Sequence, residues 1–151
     1  MVVGGVLVPE PIPVPHAITE LNTQWNSSNV AEPTFIEMMG ATDPARYNLN
    51  TADHIIGRPG NPALVETPIG NWNYVRRQYN IELELLTRQS RQRLYDIMAE
   101  IRRICHSRRH SFTSFQRIQF LQFTEAVGEN TNVWTGTIDI QFVNEDILAE
   151  T

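Results

Sequence analysis

The sequence predicts an α+β domain: a mostly antiparallel sheet of about five strands, two helices packed on one face, and an extended proline-rich N-terminal arm. Three observations predict it. Tyr79, Ile81, Leu83 and Leu85 alternate with Asn80, Glu82 and Glu84, the period of a strand with one buried and one wet face. Leu94, Ile97, Met98, Ile101, Ile104 and Cys105 recur at helical spacing and form one continuous stripe. Pro9, Pro11, Pro13 and Pro15 alternate with Glu10, Ile12 and Val14, which holds the chain extended and removes backbone donors.

The arm is read as residues 1–15 and the folded domain as residues 16–151. A chain of 151 residues with 41% hydrophobic and 19% charged residues is ordinary for one globular domain, and too apolar for wholesale disorder. The first helix runs from His16 to about Trp25, with Ala17, Ile18, Leu21 and Trp25 as its apolar stripe. Asn26, Ser27, Ser28 and Asn29 end it. Thr34 to Met38 reads as a short strand, Gly40 to Thr51 as a loop, and Ala52 to Arg58 as a second short strand centred on Ile55 and Ile56. Residues 59–70 contain Pro59, Gly60, Pro62, Pro68 and Gly70, a composition that predicts a long irregular loop.

The central strand at Tyr79–Leu85 follows, extended upstream by Trp72 and Tyr74. Ser90 stands at the N-cap position of the long helix. Phe115 to Phe123 is strand-like, but its apolar phase slips between Ile118/Phe120 and Leu121/Phe123, which predicts a bulge. Gly128, Glu129 and Asn130 mark a turn. Trp134, Ile138, Ile140 and Phe142 then share one face of the last strand.

The sequence offers little chemistry. Cys105, the single cysteine, lies in the apolar stripe and is read as a core residue. His106 and His110 are four apart, but Arg108 and Arg109 intervene and no third ligand is placed, so no metal site is assigned. A phosphate loop needs a lysine, and the chain has none. Glu82 and Glu84 share one strand face, which suits a solvated surface better than an acid–base pair. No catalytic residue, cofactor or metal is assigned. No stretch approaches the ~20 apolar residues of a membrane helix, and the apolar start lacks the basic region of a secretory signal.

The charge pattern is informative. The formal net charge is -5, and all twelve basic residues are arginines. Residues 1–75 carry two arginines against seven carboxylates, 76–117 carry ten against four, and 118–151 carry none against six. Such a dipolar chain suits a head-to-tail contact between identical copies. Arginines at the end of the long helix complement its dipole. Arg88, Arg91 and Arg93 stand at its beginning, where the dipole disfavours cations, and Arg76 and Arg77 precede the central strand. Their compensation is expected from carboxylates of a neighbour or from phosphates.

Several segments together resemble the tail terminator (tail-completion) proteins of long-tailed bacteriophages and tailed archaeal viruses. They are a helix ending in Trp25-Asn26-Ser27-Ser28-Asn29-Val30, then Pro33-Thr34-Phe35-Ile36, and the strand Tyr79 to Leu85. Thr87-Arg88-Gln89-Ser90-Arg91 follows with its helix, and the hairpin ends in Trp134 to Ile140. The likeness spans about residues 16–145. It implies a non-enzymatic virion protein at the head–tail junction, assembled in the host cytoplasm as a ring, a homo-hexamer, that stops the tail tube. Its implied partners are copies of itself, the tail tube protein and a neck or head-completion protein, with DNA possible in the ring channel and no membrane. The subunit-interface or lumen candidates are Arg76, Arg77, Arg88, Arg91, Arg93, Glu129 and Asp139. Candidates for contact with the tube or a neighbour are Pro59, Asn61, Pro62, Leu64 and Val65. Two alternatives stay open: a nucleic-acid-binding module using the arginine-rich segment 76–117, and another neck adaptor or tail-tube protein.

Overall fold

A computed structural model describes residues 2–3, 6–7, 10–37, 53–70, 74–112, 114–126 and 132–147. Val2–Val3 (β1) and Val6–Leu7 (β2) form a short antiparallel pair within the segment read as an arm. Helix α1, Pro13–Gln24, starts three residues before the sequence-predicted His16. Pro13 and Pro15 occupy its first turn, where no backbone N–H is needed and the fixed φ suits the helix. The earlier start lets Val14 join Ala17, Leu21 and Trp25 in the core.

The main sheet has the order β3-β4-β5-β7-β6, and only the β3–β4 pair is parallel. Its strands are β3 (Thr34–Glu37), β4 (His54–Ile69), β5 (Tyr74–Thr87), β6 (Arg117–Ala126) and β7 (Trp134–Ile147). Between β5 and β6 lies α2, Arg91–Ser107, with the Ser90 hydroxyl accepting from the backbone N–H of Arg93 as an N-cap. Two helices on one face of a five-stranded, mostly antiparallel sheet make this an α+β fold, as the periodicities predict.

One prediction needs correction. Residues 59–69, expected as a loop, continue β4 and pair with β5 as far as Ile69 opposite Tyr74. The physical reason is the position of the prolines. β3 pairs only with His54 to Gly57 of β4, so among the described residues Pro59, Pro62 and Pro68 fall where β4 is an edge. An edge strand uses its donors on one side only, and tolerates proline there. The register shift between Pro59 and Leu64 absorbs the irregular backbone. The expected turn at Gly128, Glu129 and Asn130 lies outside the described residues, as does the expected loop from Gly40 to Thr51.

The core lies between the helices and the face of the sheet carrying the odd residues of β5 and the even residues of β7. Leu83 pairs with Ile138, Ile81 with Ile140 and Tyr79 with Phe142, so their side chains share that face. Leu94, Ile97, Ile101 and Ile104 of α2 are fully buried against it, and Met98 packs at its margin. The phase slip in β6 is a bulge between Phe120 and Gln122. Ile118, Phe120 and Phe123 all reach the core cluster, while Leu121, the extra residue, is 50% exposed.

Gly136 of β7 marks a close approach. A Cβ there would meet Phe123 Cε1 at 2.4 Å, so the aromatic ring occupies the space that any other residue would need. Cys105 is 1% exposed, and burial pushes its thiol up to about 12. At neutral pH the native protein is therefore expected to leave Cys105 unlabelled by iodoacetamide over hours, with complete labelling in guanidinium. Rapid alkylation of the folded chain would contradict this packing.

Candidate interaction surfaces

The face of the sheet away from the helices is polar where the central strands cross it. On β4 and β5, the Arg58 guanidinium bridges Glu82 at 2.8 Å and Glu84 at 2.5 Å. Glu82 and Glu84, read as a solvated surface, thus hold an ion pair across two strands. Asn80 on β5 accepts from Gln141 on β7, which itself accepts from Gln78. Asp139 accepts from Gln122 on β6. Both irregularities of the sheet lie on one row, because Pro59 pairs with Ile81, Ile81 with Ile140 and Ile140 with Phe120. A shallow cavity of about 210 Å³ opens there, lined by Gly60, Asn61, Asn80, Glu82, Leu121 and Asp139.

The sequence-predicted arginines are matched inside the chain. Arg76 pairs with Glu145 at 3.1 Å. Arg77, buried, meets Asp146 and lies 3.4 Å from Glu66. Arg91 makes a two-pronged contact with Glu125, at 2.7 and 3.0 Å. Hydrogen bonds from Arg91, and next from Tyr95, hold the Glu125 carboxyl below the usual carboxylate range. Arg93 donates to Asp53 at 2.7 Å and to the Ala31 carbonyl at 2.6 Å. Arg88 is exposed at the bend between β5 and α2. Glu129 lies outside the described residues. The cations at the start of α2 are thus offset by carboxylates brought close by the fold, from β6 and from the start of β4.

Two carboxylate centres tie separate elements together. Asp53 is 3% exposed and accepts from the Thr87 hydroxyl, the Gln89 amide and Arg93, while its backbone carbonyl accepts from Thr34 N–H. It joins the starts of β3, β4 and α2 to the end of β5. Glu100, buried on α2, accepts from Asn26 N–H at 2.8 Å, Asn29 at 3.3 Å and Arg103 at 2.6 Å. The Arg103 hydrogen bonds hold its carboxyl below the usual range against the opposing effect of burial. This ties α2 to the segment after α1. Asx-rich turns are common, so Asn26 and Asn29 read only as helix stops in the sequence.

The β4 candidates form an exposed band. Pro59 sits at the start of the register shift, Asn61 and Pro62 lie within it, and the Pro62 carbonyl accepts from Asn80 at 3.0 Å. Leu64 and Val65 follow, 43% and 36% exposed, on the part of β4 with no strand beyond it among the described residues. Among those residues no three His, Cys, Asp or Glu side chains are grouped to hold a metal ion. No helix among them is long and apolar enough to cross a membrane.

No family model matches the chain, and no curated protein matches it. Among solved structures, it is similar in fold to a chain in the virion of a native gene transfer agent particle. The TM-score is 0.58 at 6% identity, and the match covers 86% of this chain and 92% of the other. Coverage this complete on both sides makes the likeness one of whole domains.

Proposed function

We propose that this chain is a structural virion protein, and that its copies close into a hexameric ring that terminates the tail tube at the head–tail junction. The observation that carries this reading is the fold likeness to a virion chain over nearly the full length of both. The order of elements that resembles tail terminators supports the finer role. The neck or head-completion protein and the tail tube protein are the partners it implies. The reading needs no catalytic group.

Ring closure places specific demands on the surface. Arg76, Arg77, Arg91 and Arg93 already have carboxylates within the chain, so a neighbour's carboxylate at these positions has to compete for them. Exposed ion pairs contribute only about 0–1 kcal/mol each. The association free energy then rests on apolar burial and strand contact along β4, where Leu64 and Val65 are exposed on an edge that no further strand covers among the described residues. Charged groups at the contact set register and encounter rate instead.

The purified protein is expected to sediment as a hexamer and to show six-fold rings in negative stain. The double change Leu64→Asp and Val65→Asp is expected to give a folded monomer, with at least a roughly 100-fold weaker association. Arg91→Glu is expected to weaken it much less, about tenfold at most. A stable monomer of the wild-type chain at tens of micromolar would overturn the ring, and long tubes would assign the chain to the tube itself.

A further inference from the structure

The two edges of the main sheet differ in what they offer an added strand. Beyond Gly57, the outer edge of β4 carries Pro59, Pro62 and Pro68, which cannot donate. β6, the other edge, spans 10 residues without proline or glycine. Its one irregularity is the bulge that turns Leu121 out to solvent.

The backbone groups that β6 turns outward follow from one bond. The Ile118 N–H points away from β7 and donates to the Arg109 carbonyl at 2.9 Å, which closes the start of the strand. Antiparallel pairing alternates, so the N–H and C=O of Phe120 and, past the bulge, of Phe123 and Glu125 also point outward. Among the described residues no strand and no backbone hydrogen bond reaches them from that side. The exposed side chains of this run, Gln119, Leu121, Gln122 and Thr124, are uncharged.

The N-terminal hairpin has the complementary need. β1 and β2 pair Val2 with Leu7 and Val3 with Val6, and pair with no strand of the main sheet. A ladder of two residues per strand is marginal in water, and these four residues are apolar and strand-prone. Met1 to Pro9 carries no ionisable side chain, which matches the run on β6. The base of the arm is fixed, because the Tyr79 hydroxyl donates to Glu10 at 2.5 Å. Leu7 stands three residues before Glu10, at most about 10 Å of extended chain.

We infer that the N-terminal hairpin of one copy adds to the open edge of β6 in a second copy and extends its sheet. Its own β6 is the poorer acceptor. A strand added outside that β6 lies three strand spacings, about 14 Å, from β5, where Tyr79 holds the arm. The helices separate the two sides further. α1, which follows the arm, packs over β3 and β4, with Val14 and Ile18 on Gly57 and the Trp25 ring against Phe35. α2 packs over β6, with the Tyr95 ring against Phe123. Donor and acceptor thus stand toward opposite edges of one sheet, so the contact runs head to tail from each copy to the next. The exposed Leu64 and Val65 lie on the donor side and face the same neighbour. The inference rests on the reading that copies assemble, but not on their number or their place in a virion.

Disulfide trapping tests it, since Cys105 is buried and an introduced cysteine is the only accessible thiol. Full-length chains carrying Val6→Cys and Thr124→Cys are co-expressed with different tags and oxidised. Leu7→Cys with Thr124→Cys samples the other face of the hairpin strand. Because a disulfide needs Cα atoms within about 7 Å, a heterodimer is expected in one of the two pairings. Val3→Pro with Val6→Pro, in the arm, is expected to weaken self-association at least about tenfold without altering the unfolding midpoint. Leu121→Lys, a charge placed in the acceptor run, is expected to weaken it likewise. A disulfide inside a single doubly substituted chain would assign the hairpin to its own β6 and overturn the inference. Trapping of Leu64→Cys with Thr124→Cys, but of neither hairpin variant, would overturn it in favour of the neighbour's β4. Unweakened association of the proline variant, with no trapping in either pairing, would overturn it and leave the ring standing. A wild-type monomer in sedimentation would overturn both.

Discussion

Asp53→Ala is expected to destabilise the protein by about 3–5 kcal/mol, the range for removing one partner of a buried ion pair. Asp53 is 3% exposed and the Arg93 side chain 13% exposed, so water does not readily replace the lost carboxylate. The substitution leaves a mostly buried guanidinium with the Ala31 carbonyl as its remaining acceptor. It also strands the hydroxyl of Thr87, which is fully buried and donates to Asp53 Oδ1 at 2.6 Å. Urea unfolding followed by circular dichroism measures the loss. Asp53→Asn keeps an oxygen for Thr87 but no charge for Arg93, and is expected to fall between alanine and wild type. A loss below about 1 kcal/mol for Asp53→Ala would show that this network is incidental.

This network also shows where sequence reading stops. The strand at Tyr79–Leu85 and the stripe from Leu94 to Cys105 were legible because each pattern is local and repeats within a few residues. The bulge at Leu121 was legible for the same reason, as a break in a period of two. Charge compensation is not local. Asp53 and Arg93 are separated by 40 residues, and Arg77 and Asp146 by 69. Counting charges within 76–117 therefore made its arginines look unmatched, although the fold brings distant carboxylates to Arg76, Arg77, Arg91 and Arg93. β4 was misread beyond Arg58 for a different reason. Whether proline breaks a strand depends on whether a neighbour requires its missing donor, and that is a property of the sheet.

Ile101→Ala is expected to cost about 2–5 kcal/mol, the range for emptying a close-packed aliphatic site. Ile101 is fully buried in the middle of α2, between Ile97 and Ile104 on the same stripe. Helix propensity runs the other way, since alanine is the better helix former by a few tenths of a kcal/mol. The net loss therefore reports packing rather than helix formation. Where the value falls depends on how far the site can collapse. On one side, the sheet residues Leu83, Ile138 and Ile140 stand on paired strands and move little. On the other, the α2 backbone is restrained by Glu100, whose bonds to Asn26, Asn29 and Arg103 tie the adjacent residue to the segment after α1. With both walls restrained, the cavity stays open and the cost belongs in the upper half of the range. Ile101→Val, one methylene smaller, is expected to cost about 0.5–1.5 kcal/mol. Combining Ile101→Ala with Glu100→Gln tests the restraint directly. If loosening α2 lets the cavity close, the double variant loses less than the sum of the two singles. Additive losses would show that Glu100 and the sheet act independently on this helix.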